Sequence, residues 1–227
     1  IKEITSVCPK QMAGMKKYFS GRRIDAERVE SIIFAADQIR KPRSNWDVEW
    51  IAETFTNMKK LVFAGDAPAF HRGRARVLAD SSLQLFEHIS FSSTGLTQDG
   101  VVGLFRIASI TKIVLSSLSY EGVRILPWIR QMKPSLCQLV SFTFDSIGLC
   151  DSYQLIHLLQ SSKQSLRHIR ISKCALDNLP LLVDFFRDVG PRLEFLALEY
   201  EMDDSLVGTD LSYCEIVGLC PNVTVRH

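Results

Sequence analysis

Long apolar runs are missing from this chain. No stretch of its 227 residues is apolar for long enough to span a bilayer as a helix, and no secretory leader is visible. Excess charge is nearly absent too. The 27 Lys+Arg against 25 Asp+Glu leave +2, too little for charge alone to name nucleic acid or a membrane surface as partner. The six cysteines (Cys8, Cys137, Cys150, Cys174, Cys214 and Cys220) form no C-x-x-C and lie at no zinc spacing from histidine. A disulfide framework does not fit them, and the chain reads as cytoplasmic or nuclear. There is no G-x-S-x-G, no H-E-x-x-H, no P-loop and no G-x-G-x-x-G. His71, His88, His157, His168 and His227 do not cluster in sequence. These absences argue against an enzyme, a cofactor or a metal site.

What is present is a pattern, apolar-x-x-apolar-x-apolar, that recurs eight times. It reads Val29, Ile32, Phe34; Met58, Leu61, Phe63; Phe86, Ile89, Phe91; Ile110, Ile113, Leu115. It goes on as Leu139, Phe142, Phe144; Leu166, Ile169, Ile171; Leu193, Leu196, Leu198; and Cys220, Val223, Val225. Successive first positions are 29, 28, 24, 29, 27, 27 and 27 residues apart. Such a period predicts a solenoid, which offers a surface rather than a catalytic cleft.

One unit shows the logic. Leu166 precedes Ile169-Arg170-Ile171, which alternates in and out as a strand requires, and Cys174 is placed where the chain should turn off the strand. Asn178 is the expected N-cap of a helix carrying Leu182, Phe185, Phe186 and Val189 on one face. Gly190 fits the C′ position and Pro191 ends the helix. Other units repeat the scheme: Asp47 before Val48, Ile51 and Phe55; Thr97 and Asp99 before Val101–Phe105; Val123, Leu126 and Ile129 before Pro134; Asp151 or Ser152 before Leu155–Leu159. No unit buries its apolar side alone, but stacked units share one core. The expected fold is α/β, with a curved parallel sheet on the concave side, helices on the convex side and right-handed crossovers.

The ends are less regular. Ile1 and Ile4 fall 28 residues before Val29 and Ile32, but Ser6 stands where an apolar residue should. Residues 1–28 therefore read as a partial or irregular repeat, and 29–227 as an array of about eight units. The last strand is expected at Cys220–Val225, with Pro221 on its edge and the sequon Asn222-Val223-Thr224 inside it, read as incidental. The chain starts at Ile1 and not at Met, as a fragment of a longer protein would.

Leu166, Ile169, Ile171, Cys174 and Leu176 fit L-x-x-L-x-L-x-x-N/C-x-L position by position. The chain thus resembles leucine-rich-repeat proteins with helical outer sides, of the ribonuclease-inhibitor and cysteine-containing kinds. Leu219-Cys220-Pro221-Asn222-Val223 is similar to the irregular repeats of fungal-type F-box proteins. The resemblance implies a protein–protein interaction region that holds a substrate for a cullin ubiquitin ligase. The ligase adaptor would dock only through an F-box upstream of Ile1, since residues 1–28 contain none. A scaffold without ubiquitin chemistry, or a regulator of an enzyme such as a GTPase, are the other readings of such an array.

Non-template strand positions should face the concave side and meet a protein partner. The columns run Glu30, Lys59, Glu87, Thr111, Val140, Arg167, Glu194; Ser31, Lys60, His88, Lys112, Ser141, His168, Phe195; and Ile33, Val62, Ser90, Val114, Thr143, Arg170, Ala197, Thr224. Candidate binding residues are Lys60, His88, Lys112, Arg167, His168, Arg170 and Lys173, with Phe195 and Tyr200 as aromatic anchors. An acidic or phosphorylated peptide suits the arginines. Against this stands plain mutual neutralisation with Asp145, Glu194 and Glu199 on neighbouring strands. Arg40-Lys41-Pro42-Arg43 and Arg72, Arg74 and Arg76 look like loop charges, with no interleaved aromatics for base stacking. Residues 1–76 carry net +6 (15 basic, 9 acidic), and the rest carry −4 (12 basic, 16 acidic).

Overall fold

The computed structural model describes residues 2–7, 11–35, 47–64, 72–80, 85–92, 98–118, 135–150, 152–176, 178–199 and 209–223. Eight strands occur among them: β1 (Glu3–Val7), β2 (Ser31–Ala35), β3 (Lys60–Ala64), β4 (His88–Ser92), β5 (Lys112–Leu118), β6 (Ser141–Cys150), β7 (His168–Leu176) and β8 (Phe195–Glu199). They form one sheet in chain order, and every neighbouring pair is parallel. The described helices are α1 (Met12–Phe19), α2 (Arg23–Glu27), α3 (Val48–Thr54), α4 (Arg72–Asp80), α5 (Gln98–Leu104), α6 (Ser152–Leu159), α7 (Leu179–Val189) and α8 (Thr209–Gly218). None of them is long and apolar enough to cross a membrane.

The apolar spacing sets which face is covered. Residues at the second and third template positions, from Ile32 and Phe34 to Leu196 and Leu198, are buried in every strand from β2 to β8. They share one core with helix residues such as Met15, Ile51, Leu78, Leu104, Leu158, Phe186 and Ile216. Consecutive helices also pack side by side, α3 on α4, α4 on α5, α6 on α7 and α7 on α8. The opposite face of the sheet carries the alternating residues, half-buried or exposed except for the buried Ser31 and Ser172. In the core Phe63 stacks between Phe34 and Phe91, with centroids 5.5 and 5.0 Å away and planes 21° and 11° apart. Each such ring adds about 0.5–1.5 kcal/mol beyond its buried area.

Backbone carbonyls fix the register. The carbonyl oxygen of Lys2 accepts from the amides of Glu30 and Ser31, and that of Glu30 from Lys59 and Lys60. Lys59, Glu87, Thr111, Val140 and Arg167 repeat the arrangement toward the next strand. Every strand entry from β2 to β8 is thus clasped by the residue one unit earlier. Serines stitch the other connections: Ser135 Oγ donates to the Phe105 carbonyl (2.9 Å), Ser165 Oγ to Leu139 (2.8 Å), and Ser162 Oγ accepts from the Leu139 amide (2.9 Å).

Helix starts follow the expected chemistry at two sites. Asp47 accepts from the Trp50 amide (2.9 Å) and is ion-paired with Lys16. Asn178 accepts from the Leu181 amide (3.1 Å). Ser152 instead lies buried at the start of α6 and accepts from the Asn178 amide at 3.2 Å, a link to the next unit.

Several expectations are corrected. Ser6 does not break the first unit: a register irregularity lets Ile4 pair with Ile32 and Val7, not Ser6, with Phe34. The first, irregular repeat therefore adds a true strand, followed by α1 and α2. Cys174 is not at a turn, because β7 continues to Leu176 and Cys174 pairs with Gly148 after an irregularity in the ladder. Arg72, Arg74 and Arg76 are helical, in α4, and not loop residues. Pro221 and Asn222 lie in a turn and not in a strand, and the Asn222 side-chain amide donates to the Pro191 carbonyl (2.9 Å). The rest of that expected strand, the Val123–Ile129 helix and the Arg40–Arg43 stretch lie outside the described residues.

Gly190 is also explained differently. Its φ of −53° is right-handed, and the chain runs on through a short 3-10 turn, Gly190–Arg192. Glycine is required because a Cβ would run into the Leu219 carbonyl of the following unit. We predict that Gly190→Ala costs about 1–3 kcal/mol through overpacking, whereas Gly14→Ala, whose Cβ meets nothing, is neutral to slightly stabilising. Phe63→Ala should cost about 3–5 kcal/mol, because neighbours on both sides hold the cavity open. Urea unfolding of the three variants checks all of these.

Candidate functional site

Parallel pairing without shift across β2–β4 and through the first residues of β5–β8 turns the second column into a straight row on the open face: Ser31, Lys60, His88, Lys112, Ser141, His168, Phe195. Neighbours in it stand about 4.8 Å apart, the spacing of adjacent strands. Ile33, Val62, Ser90, Val114, Thr143, Arg170 and Ala197 form the next row.

Over β4–β8 this face forms an open pocket of about 590 Å3. His88, Lys112, His168, Arg170 and Phe195 line it, so five of the nine predicted residues are brought together. Lys60 stands beside His88 in the same row but outside the pocket. Arg167 points elsewhere: its Nη1 donates to the carbonyls of Gln164 (3.1 Å) and Leu166 (2.8 Å), which ties it to the turn before β7. Lys173 is on β7, but its side chain lies outside the described residues, as does all of Tyr200. Beside Glu87, Val140 and Phe142, the hydroxyl-bearing Thr111, Ser141 and Thr143 complete the lining. They occupy the predicted columns, yet nothing in their residue type alone marks them as a site.

Neutralisation accounts for part of the face. Glu30 and Lys59 pair at 3.2 Å, and Glu194 lies 3.7 Å from His168 Nε2. Exposed pairs of this kind contribute about 0–1 kcal/mol. Lys60 and Lys112 make no ion pair with any described carboxylate. His88 sits between them. Its Nε2 is shut off from solvent and has no hydrogen-bond partner among the described residues. Burial first, then the positive charges of Lys112 and Lys60, push its pKa down to about 4, so the ring is neutral at pH 7.

Among the described residues no group of three or more His, Cys, Asp or Glu is placed to hold a metal ion. Cys137 and Cys220 are free and buried, and burial raises each thiol to about 11, so neither is a thiolate at neutral pH. The chain matches no protein-family model and no curated protein sequence.

The depressed His88 pKa has a stability consequence. Between about 4 and 6.5 the unfolded chain binds a proton there that the folded chain refuses. Stability from this residue is complete above pH 6.5 and is lost as pH falls toward 4. In an NMR titration His88 should show a midpoint near 4, and Lys112→Gln should raise it. A midpoint near 6.5 in the unmodified protein contradicts the burial and charge argument.

Proposed function

We propose that this chain is a leucine-rich-repeat-type solenoid, one array of strand–helix units, whose open sheet face docks a segment of another protein in the cytoplasm or nucleus. More narrowly, we propose that it is the substrate-holding region of an F-box-type subunit of a cullin ubiquitin ligase. Its work would be positioning alone, with the transfer chemistry carried out elsewhere.

The observation that carries the docking reading is the asymmetry of the sheet. One face is consumed by the core, while the other leaves Arg170 exposed and Phe195 39% exposed at the same pocket. Folding does not require an exposed phenylalanine on the open face of β8, whereas arginine and aromatics supply much of the energy of protein interfaces. Pairing through hydroxyls, Lys112 and His168 around them would orient an extended segment. The ligase reading rests on the likeness of the repeat style around Leu219–Val223 to F-box proteins, a resemblance and not a geometric argument.

Affinity capture with the full-length parent protein tests both levels. Arg170→Glu and Phe195→Ala should each weaken capture of the partner by roughly tenfold or more, the effect of losing about 1.4 kcal/mol at an interface. Both variants should remain folded, which a thermal melt verifies. Recovery of a cullin and its adaptor along with the partner supports the ligase reading. A reproducible partner without those subunits leaves a scaffold or regulator. Capture that ignores both substitutions overturns docking at this pocket.

A further inference from the structure

Lys60, His88 and Lys112 have a feature that a neutralised sheet surface lacks. Three potentially cationic side chains occupy successive strands at one register position. The two ammonium groups are offset by two strand spacings, about 10 Å between their Cα atoms. Flexible four-carbon stems can converge from that distance on a group seated over the ring between them. Two of their acidic neighbours are otherwise engaged, Glu30 with Lys59 and Glu194 against His168, while Glu87, next to His88 in sequence, lines the pocket as its one carboxylate among the described lining residues. Asp145 on β6 and Arg170 on β7 share the face farther along, the latter lining the same pocket. His88 Nε2 is closed in without an acceptor, so the folded protein places a ring where its protonation is opposed from both sides. A bound anion offsets the part of that opposition that comes from the lysines, burial being the larger part.

We propose that Lys60, His88 and Lys112 form an anion subsite that takes a dianionic phosphate group carried by a side chain of the docked protein. That the phosphate arrives on a docked protein rests on the reading of this face given above. Phosphate suits the site better than a carboxylate. Two lysine charges match its two negative charges, and the neighbouring Ser141 hydroxyl adds a donor beyond those that two carboxylate oxygens use, while the Thr111 hydroxyl already donates to the Glu87 carbonyl (3.4 Å). Binding is coupled to proton uptake, because the anion offsets the two lysine charges that, after burial, hold the His88 pKa down. By linkage, lowering pH from 7 toward 5 strengthens binding of an anion whose own charge does not change.

The test is a titration of the isotope-labelled chain, followed at the His88 ring and at the Lys60 and Lys112 side chains. Inorganic phosphate, phosphoserine and aspartate serve as probes at pH 7, and sulfate, which stays doubly charged, at pH 4–7. The expected result is saturable shifts at all three residues with phosphate and phosphoserine, with aspartate roughly tenfold weaker. Sulfate should raise the His88 midpoint by about one unit or more. Lys112→Gln should weaken phosphate roughly tenfold, and His88→Gln should retain binding but lose its pH dependence. A dispersed amide spectrum verifies that each variant is folded. Shifts that are absent, that do not saturate, or that survive Lys112→Gln overturn the subsite. Binding of inorganic phosphate without phosphoserine overturns the partner-borne source. Partner capture that still needs Arg170 and Phe195 while the titration is silent leaves docking intact and removes only this proposal. Capture that ignores both, with a positive titration, removes the docked source and with it the proposal.

Discussion

Seven backbone carbonyls, from Lys2 to Arg167, each accept two amides at the entrance of the next strand. The rest of the structure depends on this clasp. A parallel strand can slide along its neighbour, and a slip of one residue would send every core side chain to the open face. Holding two consecutive amides with one carbonyl fixes both the position and the direction of entry. The same contact aligns the first open-face residue of each strand, so the Lys60–His88–Lys112 row is a by-product of the register that buries Leu61, Ile89 and Ile113. Site and core are two sides of one alignment.

Energetically the two faces differ. The core face gains from ring stacking and aliphatic burial, and burying one Leu, Ile or Phe contributes about 1.5–3 kcal/mol. The open face gains little, and at His88 it opposes folding at acid pH, because a ring is half-buried between two lysines. Such placement costs stability where the core could easily have been built without it. Proteins hold local conflicts of this kind where a site needs them, and for that reason the row, rather than the more conspicuous Arg167 and Lys173, carries the ligand argument.

Much of the fold was legible because one physical period dominates. Apolar residues at fixed spacing must all reach one core, and strands β2–β8 lie where the pattern puts them. Caps at Asp47 and Asn178 were legible for a local reason: a side-chain acceptor and a free amide three residues on. What escaped was set by neighbouring units. The irregularity that lets Val7 replace Ser6 depends on pairing with β2. The need for Gly190 comes from Leu219, almost thirty residues away in sequence and adjacent in space. Arg72–Arg76 reads as polar loop, yet Ala75 and Leu78 turn inward and draw the stretch into α4. In the site, columns predicted which residues share a face. They did not show that Arg167 would be occupied by its own turn, nor that two lysines without an ion pair among the described residues would flank a closed-in histidine.

The central claim is that the open sheet face, and not the helical side, meets the partner. Hydroxyl-radical footprinting of the chain with and without its captured partner tests it most directly, since reactive reporters stand on both sides. Phe195, His88 and His168 report on the open face, and the exposed rings of Tyr18 on α1 and Tyr153 on α6 report on the helices. The account predicts protection of Phe195, His88 and His168, with Tyr18 and Tyr153 unchanged. Protection of the two tyrosines with an unchanged sheet face would contradict it.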